Sequence, residues 1–212
     1  MCIRDSGKEE DWVPILKERP KDQPFFFWFA SSDAHRGWKI NEDAPIYKPE
    51  DMEVPPYLYD GPVTRKDLAD YMHEVSRTDF YMGQLRKELK KQGIEKDTYI
   101  IYMADNGRPF PRCKTRLSDS GIRTPLLIAR QGTIKPALTA SLISSIDISA
   151  TILELAGAKK DKRIQGVSFA SVLEDPKSKT RDFVFAEHNW HDYQAYERMV
   201  SSKSFMYIKN EN

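Results

Sequence analysis

Thr98-Tyr99-Ile100-Ile101-Tyr102-Met103-Ala104-Asp105-Asn106-Gly107 is the stretch that decides the fold. Its first seven residues are mostly β-branched or aromatic, the types that suit a pleated, buried surface, and the run breaks at a carboxylate, an amide and a glycine. Two similar runs flank it. Pro24-Phe25-Phe26-Phe27-Trp28-Phe29-Ala30-Ser31 is too short for a core helix and begins at proline, so it reads as a fully buried strand, and Thr124 to Ala129 reads as a third. Between the first two runs, Leu68, Tyr71, Met72, Val75, Leu85 and Leu89 return at helical spacing behind Thr64, a candidate N-cap, and the pattern stops near Gln92-Gly93. A second helix is predicted from Ser145 through Ile146, Ile148, Ile152, Leu153 and Leu155 to a terminating Gly157. Strands alternating with helices predict an α/β sheet with flanking helices. After Gly166 the pattern changes: Phe183 to Glu187 and Ser204 to Lys209 read as short strands of a small C-terminal antiparallel sheet.

The expected organisation is a core over residues 8–165 and a C-terminal subdomain over 166–212. Met1 to Ser6 has neither the apolar stretch nor the cleavage site of a secretory signal, and because it resembles the short adapter-like starts of assembled reading frames, residues 1–7 are set aside as a non-native start. The chain is expected to be cut at both ends. From Ile40 to Pro62 five prolines with little periodicity predict a long ordered surface loop, packed through Tyr47, Tyr57, Leu58 and Tyr59.

Composition narrows the function. With 33 basic against 32 acidic residues the net charge is +1, which gives no whole-molecule attraction to nucleic acid or to a membrane surface. The longest apolar run, Phe25 to Ala30, falls far short of the roughly 18 residues that cross a bilayer, so no transmembrane segment is predicted. Two cysteines, Cys2 and Cys113, make neither a disulfide framework nor a zinc site.

In an open α/β sheet, sites collect at the carboxyl ends of strands. Asp105-Asn106 sets a carboxylate beside an amide oxygen, a hard-oxygen pair suited to calcium or magnesium. Asn-Gly after a strand is also the strongest short hairpin signal, whereas Pro109 and Pro111 cannot continue as its partner strand, so both readings stand. Arg108, Arg112, Lys114, Arg116 and Arg123 make a basic loop able to bind sulfate or phosphate, or simply a solvated one. His35 follows the first strand and could donate to a substrate oxygen or cap a turn. Glu187-His188-Asn189-Trp190-His191-Asp192 is rich in ligand types but matches no zinc spacing, and His73 reads as structural.

Five segments together resemble the sulfatases in order and spacing: Pro24 to His35; Tyr71-x-x-Glu74-Val75-Ser76-x-x-Asp79-x-x-x-Gly83; Thr98 to Gly107; Lys114 through Gly121-Ile122-Arg123-Thr124-Pro125; and Ile146-Asp147 to Gly157. Asp105-Asn106-Gly107-Arg108-Pro109-Phe110-Pro111 looks like the branch that includes heparan N-sulfatases. The resemblance implies an alkaline-phosphatase-like sheet with flanking helices, bound Ca2+, and a formylglycine nucleophile made from Cys or Ser. Carried over by position, it makes Asp105 and Asn106 calcium ligands, Lys114 a cation on the sulfate oxygens, and His35 a sulfate contact and proton donor. It implies a sulfated carbohydrate substrate, with His188, Trp190 and His191 facing the sugar, and a periplasmic, secreted or lysosome-like compartment. Neither Cys-x-Pro-Ser-Arg nor Ser-x-Pro-Ser-Arg occurs in the 212 residues, so the chain is expected to be inactive alone. Two alternatives are a phosphoryl-transfer hydrolase on the same core and a non-catalytic module that binds sulfated glycans.

Overall fold

The computed structural model describes the backbone of residues 2–6 and both backbone and side chains of residues 8–191 and 193–211. Asp192, the last residue of the ligand-rich run, lies outside the described residues. The chain divides into two compact units, Met1–Tyr99 with Arg108–Pro111, and Ile100–Gly107 with Arg112–Asn212. The boundary drawn from sequence at residue 165 falls inside the second unit.

In the first unit, β1 (Cys2–Ser6), α1 (Trp12–Glu18) and β2 (Phe26–Ala30) form a strand–helix–strand motif whose strands pair in parallel, from Cys2 opposite Phe26 to Ser6 opposite Ala30. Within the stretch set aside as a non-native start, residues 2–6 form this strand through backbone pairing with β2. Trp12 is buried and stacks on Phe29 at 5.2 Å. The expectation of a fully buried β2 is corrected: Phe26 and Trp28 are 38% and 51% exposed. Successive side chains point to opposite faces of a strand, and only the Phe27 and Phe29 face is the better covered one.

The helix α2 (Pro62–Lys91) starts two residues before the expected Thr64 cap. Pro62 takes the first helical position, where its missing N–H costs nothing and its fixed φ suits the helix. At the other end Gly93 has φ +71°, its N–H bonds Lys90 O at 3.0 Å, and Ile94 N–H bonds Leu89 O at 3.1 Å, the pair of bonds that defines a Schellman stop. The buried stripe of α2 carries Leu68, Ala69, Leu85 and Leu89, but its middle is polar: His73, Glu74, Arg77 and Thr78. The 40–62 loop docks on this helix through Tyr47, whose hydroxyl lies 2.7 Å from Ser76 Oγ, and Tyr57 accepts a bond from Arg108 at 2.7 Å. Tyr59, expected to pack, is 84% exposed.

In the second unit, β3 (Ile100–Met103) and β4 (Leu126–Ala129) pair antiparallel, Ile100 opposite Ala129, with α3 (Asp119–Ile122) between them in sequence. β3 is half-buried along its length rather than fully buried. Because its partner starts only at Leu126, Asp105–Gly107 is not the turn of a tight hairpin. Then come α4 (Ile146–Leu155), α5 (Ala170–Glu174), and β5 (Val184–Trp190), β6 (Gln194–Ser201) and β7 (Met206–Asn210), which form a three-stranded antiparallel sheet in that order. The middle strand β6 was not expected. Ser145 precedes α4, but its side chain makes no capping bond. The fully buried Asp147 organises this end of the helix from inside the first turn: it accepts N–H bonds from Ser144 at 2.8 Å and Val167 at 2.7 Å, and pairs with the Arg181 guanidinium. Four donors on one carboxylate satisfy its charge without water. Among the described residues, no helix is long and apolar enough to cross a membrane.

Candidate functional site

The Asp105–Gly107 turn is held by backbone packing. Gly107 N–H bonds Gly121 O at 2.8 Å, and a Cβ on Gly107 would lie 2.1 Å from Ser120 O. Gly121 is enclosed in turn, because its Cβ would lie 2.0 Å from Arg116 O and 2.4 Å from Cys113 O. Gly107 is therefore needed where the turn seats on Ser120–Gly121, and Gly121 where the Cys113–Gly121 loop folds back on its own Cys113 and Arg116 carbonyls. That loop is tied inward by Ser118 and Ser120, whose hydroxyls both bond Arg112 O, at 3.0 and 2.7 Å. Cys113 is fully buried within it.

The turn presents Asp105 exposed and Asn106 half-buried. Asn106 donates its amide nitrogen to Gly107 O at 2.8 Å, which leaves Oδ1 as an acceptor. Among the described residues no three His, Cys, Asp or Glu side chains form a metal cluster. The donors at the turn fit calcium in kind, and they supply about two of the six to eight oxygens it takes.

The residues of the basic loop have different surroundings. Arg108 belongs to the first unit, Arg116 lies over the Tyr193 ring at 4.8 Å, and Arg123 is largely exposed beside Asp119. Lys114 is half-buried and makes no ion pair among the described residues.

Residues 187–190 of the ligand-rich run belong to strand β5. His188 sits on β5 opposite Glu197 of β6, 8% exposed, with Nδ1 3.2 Å from the Glu197 carboxylate and Nε2 without a partner among the described residues. Opposite polar partners on one sheet face add to the pairing of the two strands. Trp190, 74% exposed, and His191, also exposed, stand at the hairpin between β5 and β6. Sequence reasoning missed Tyr193 there. Its hydroxyl donates to Thr115 O at 3.3 Å and its ring meets His188 edge-on at 5.2 Å, so it ties the hairpin to the residue next to Lys114.

In the first unit, His35 is exposed on the segment after β2, with Nδ1 2.7 Å from Arg36 O. This segment is bound to α2 at several points along its length. Asp33 forms a two-bond pair with Arg77, Trp38 Nε1 donates to Asp67 at 2.6 Å, Lys39 N–H bonds Glu74 at 2.5 Å, and Asn41 N–H bonds His73 Nε2 at 3.1 Å. His73 donates its other nitrogen to Pro45 O at 3.0 Å, which makes it the structural histidine its sequence position predicts. Burial pushes the Glu74 carboxyl above its ordinary value, and its Oε2 has no partner among the described residues.

The sulfatase family profile matches residues 10–158, and that of the N-sulphoglucosamine sulphohydrolase C-terminal region matches 113–211. An ulvan-active sulfatase of Formosa agariphila is 28% identical over 86% of this chain and 31% of its own length. Human N-sulphoglucosamine sulphohydrolase is 31% identical over 63% of this chain and 31% of its own. The chain thus spans about a third of the length of the curated relatives it matches. A solved Bacteroides thetaiotaomicron structure, from a core genetic locus for metabolism of multiple glycosaminoglycans, superposes with a TM-score of 0.75 at 21% identity, covering 92% of this chain and 46% of that one. The α/β fold is accordingly the alkaline-phosphatase-like one, with its small antiparallel C-terminal sheet. The family match covers most of the chain and includes the seated turn and the lysine loop, so the chain belongs to the sulfatase family.

Proposed function

We propose that this chain carries the sulfate-binding and cation-binding residues of a calcium-dependent hydrolase that cleaves a sulfate ester or sulfamate on a sugar. The observation that carries the reading is the seating of Asp105–Gly107 on the Cys113–Gly121 loop, which joins, within the second unit, a hard-oxygen pair and a lysine that makes no ion pair among the described residues. The match of residues 113–211 to the N-sulphoglucosamine sulphohydrolase C-terminal region favours a sulfated amino sugar.

In this reading Asp105 and Asn106 Oδ1 hold calcium, which would neutralise charge on the sulfate. Lys114 contributes a point charge to the sulfate oxygens, stronger where water is excluded. The net reaction adds water across the S–N or S–O bond, and the departing amine or alcohol needs a proton, which His35 supplies. Trp190 offers a flat ring to a pyranose face, and His191 a donor to its hydroxyls. A hydrated formylglycine would supply the attacking oxygen. Cys113 is buried and followed by Lys114-Thr115, outside the pattern for that modification, and we assign the nucleophile to a segment beyond these 212 residues.

The test follows hydrolysis of N-sulfoglucosamine, an aryl sulfate and an aryl phosphate, with calcium and with chelator. It uses the 212-residue chain and the longest natural reading frame that contains it. The longer product is expected to cleave both sulfur substrates only with calcium, and the chain alone neither. Preference of the longer product for the phosphate, or turnover by the chain alone that Lys114→Ala abolishes, contradicts the proposal.

A further inference from the structure

His35 Nδ1 lies 2.7 Å from the carbonyl oxygen of Arg36. A carbonyl only accepts, so Nδ1 carries the proton and the neutral ring is the Nδ1–H tautomer. Nε2, with no hydrogen bond among the described residues, is then the nitrogen left to engage a ligand. The direction of that carbonyl depends on how residue 36 is held, and residue 36 is held unusually well for an exposed arginine.

The Arg36 guanidinium gives Nη1 and Nη2 to the two Asp67 oxygens at 3.0 and 2.5 Å, and Nε to Pro109 O at 2.9 Å. It lies over the rings of Phe110 at 4.9 Å and Trp38 at 5.2 Å. Asp67 is fixed as well, since it also accepts the Trp38 indole N–H at 2.6 Å. Phe110 is buried, 5.5 Å from Tyr71 and 6.3 Å from Trp38. Every one of these groups belongs to the first unit, and together they use the Pro109-Phe110 segment that the proposed reaction leaves without a role. A planar fork, two acceptors and two ring faces specify arginine; a lysine would keep the charge and lose the geometry.

We infer that Arg36, clamped by Asp67 and the Pro109-Phe110 segment, is the positioning residue that sets His35 in its Nδ1–H tautomer and leaves Nε2 to meet the substrate. The inference rests on the reading of His35 as a substrate contact. Its chemical content is that Nε2 gains or gives a proton while the Nδ1–H bond stays in place, so the ring need not turn between the two states.

The test reads the tautomer directly and needs no turnover. Nitrogen-15 NMR of the four histidine side chains is recorded on the 212-residue chain without substrate, above the titration range of the rings. His35 is expected to show protonated Nδ1 and bare Nε2. Arg36→Lys and Asp67→Asn should each move it toward the Nε2–H form. Arg65→Lys, which removes the two-bond geometry of the exposed pair that Arg65 of the same helix makes with Asp60, should leave it unchanged. His73, with Nδ1 on Pro45 O and Nε2 on Asn41 N–H, reports in the same spectrum that α2 and its loop are folded. A wild-type His35 in the Nε2–H form overturns the inference. So does retention of the Nδ1–H form in the folded variants. Because no hydrolysis enters the readout, failure of the proposed reaction would be seen separately.

Discussion

Replacing Gly107 by alanine puts a methyl group where no space exists. The new Cβ would sit 2.1 Å from Ser120 O and 2.8 Å from Gly121 Cα, both backbone atoms that cannot swing aside. Carbon and carbonyl oxygen ordinarily approach to about 3.3 Å, so the turn must retreat by roughly 1 Å. That movement also draws Gly107 N–H away from Gly121 O, now 2.8 Å distant. Overpacking costs about 1–3 kcal/mol and a lost hydrogen bond about 0.5–1.5 kcal/mol, so a loss of roughly 2–4 kcal/mol is expected. Gly121→Ala should cost as much, since its Cβ would meet Arg116 O and Cys113 O at 2.0 and 2.4 Å. The two changes strain different contacts that adjoin, since the Gly107 Cβ would also lie 2.8 Å from Gly121 Cα, so the double variant should depart from the sum of the two by about 0.5–3 kcal/mol of coupling. Gly83, inside α2 with nothing within 4 Å of where a methyl group would sit, is the internal control. There the same substitution should stabilise by about 0.5–1 kcal/mol, through helix propensity alone. Urea denaturation followed by circular dichroism on the wild type and these four variants reads all the values. A Gly107→Ala midpoint equal to wild type, or strictly additive losses, would refute the close approach.

Asp147→Ala should cost about 3–5 kcal/mol in the same assay, because it strands the Arg181 guanidinium and two backbone N–H groups; a loss near that of an exposed pair such as Arg163–Asp161 would count against the hub. Burial raises the Glu74 carboxyl above the ordinary 4.5, so the folded chain holds that proton more tightly than the unfolded one, and stability falls as pH rises between the two values. Glu74→Gln removes that titration, and its stability relative to wild type should climb with pH across the interval; parallel pH curves would show that Glu74 titrates alike in both states. In the longer reading frame, Trp190→Ala and His191→Ala should weaken hydrolysis of a sulfated sugar and spare a small aryl sulfate, whereas equal effects on both substrates would make the hairpin structural.

What the sequence made legible was local. Gly93 and Gly157 mark helix ends because their stops are written in adjacent residues, and the Asp105–Gly107 turn shows as a strand breaking at polar types. The burial of β2 is overestimated from sequence because five apolar residues say nothing of how many faces will be covered. β6 is hidden because Glu197 interrupts the apolar alternation of Ala195 and Met199, and its inward position makes sense only once His188 is across from it. The Arg36 clamp and the Tyr193 tie join residues far apart in the chain, for which no local pattern exists. The seat of Gly107 on Gly121 is of the same kind: both glycines stand in the motifs, but the reason for them is an approach between backbones.

The central claim is that Lys114 charges the sulfate-binding end of the site. It is tested most directly by kcat/KM of Lys114→Ala in the longest natural reading frame, on N-sulfoglucosamine and an aryl sulfate, beside Arg123→Ala from the exposed end of the same loop. The account predicts a loss on the order of 10² for both substrates with Lys114→Ala, and none with Arg123→Ala. A Lys114→Ala enzyme that loses no more than Arg123→Ala would contradict it.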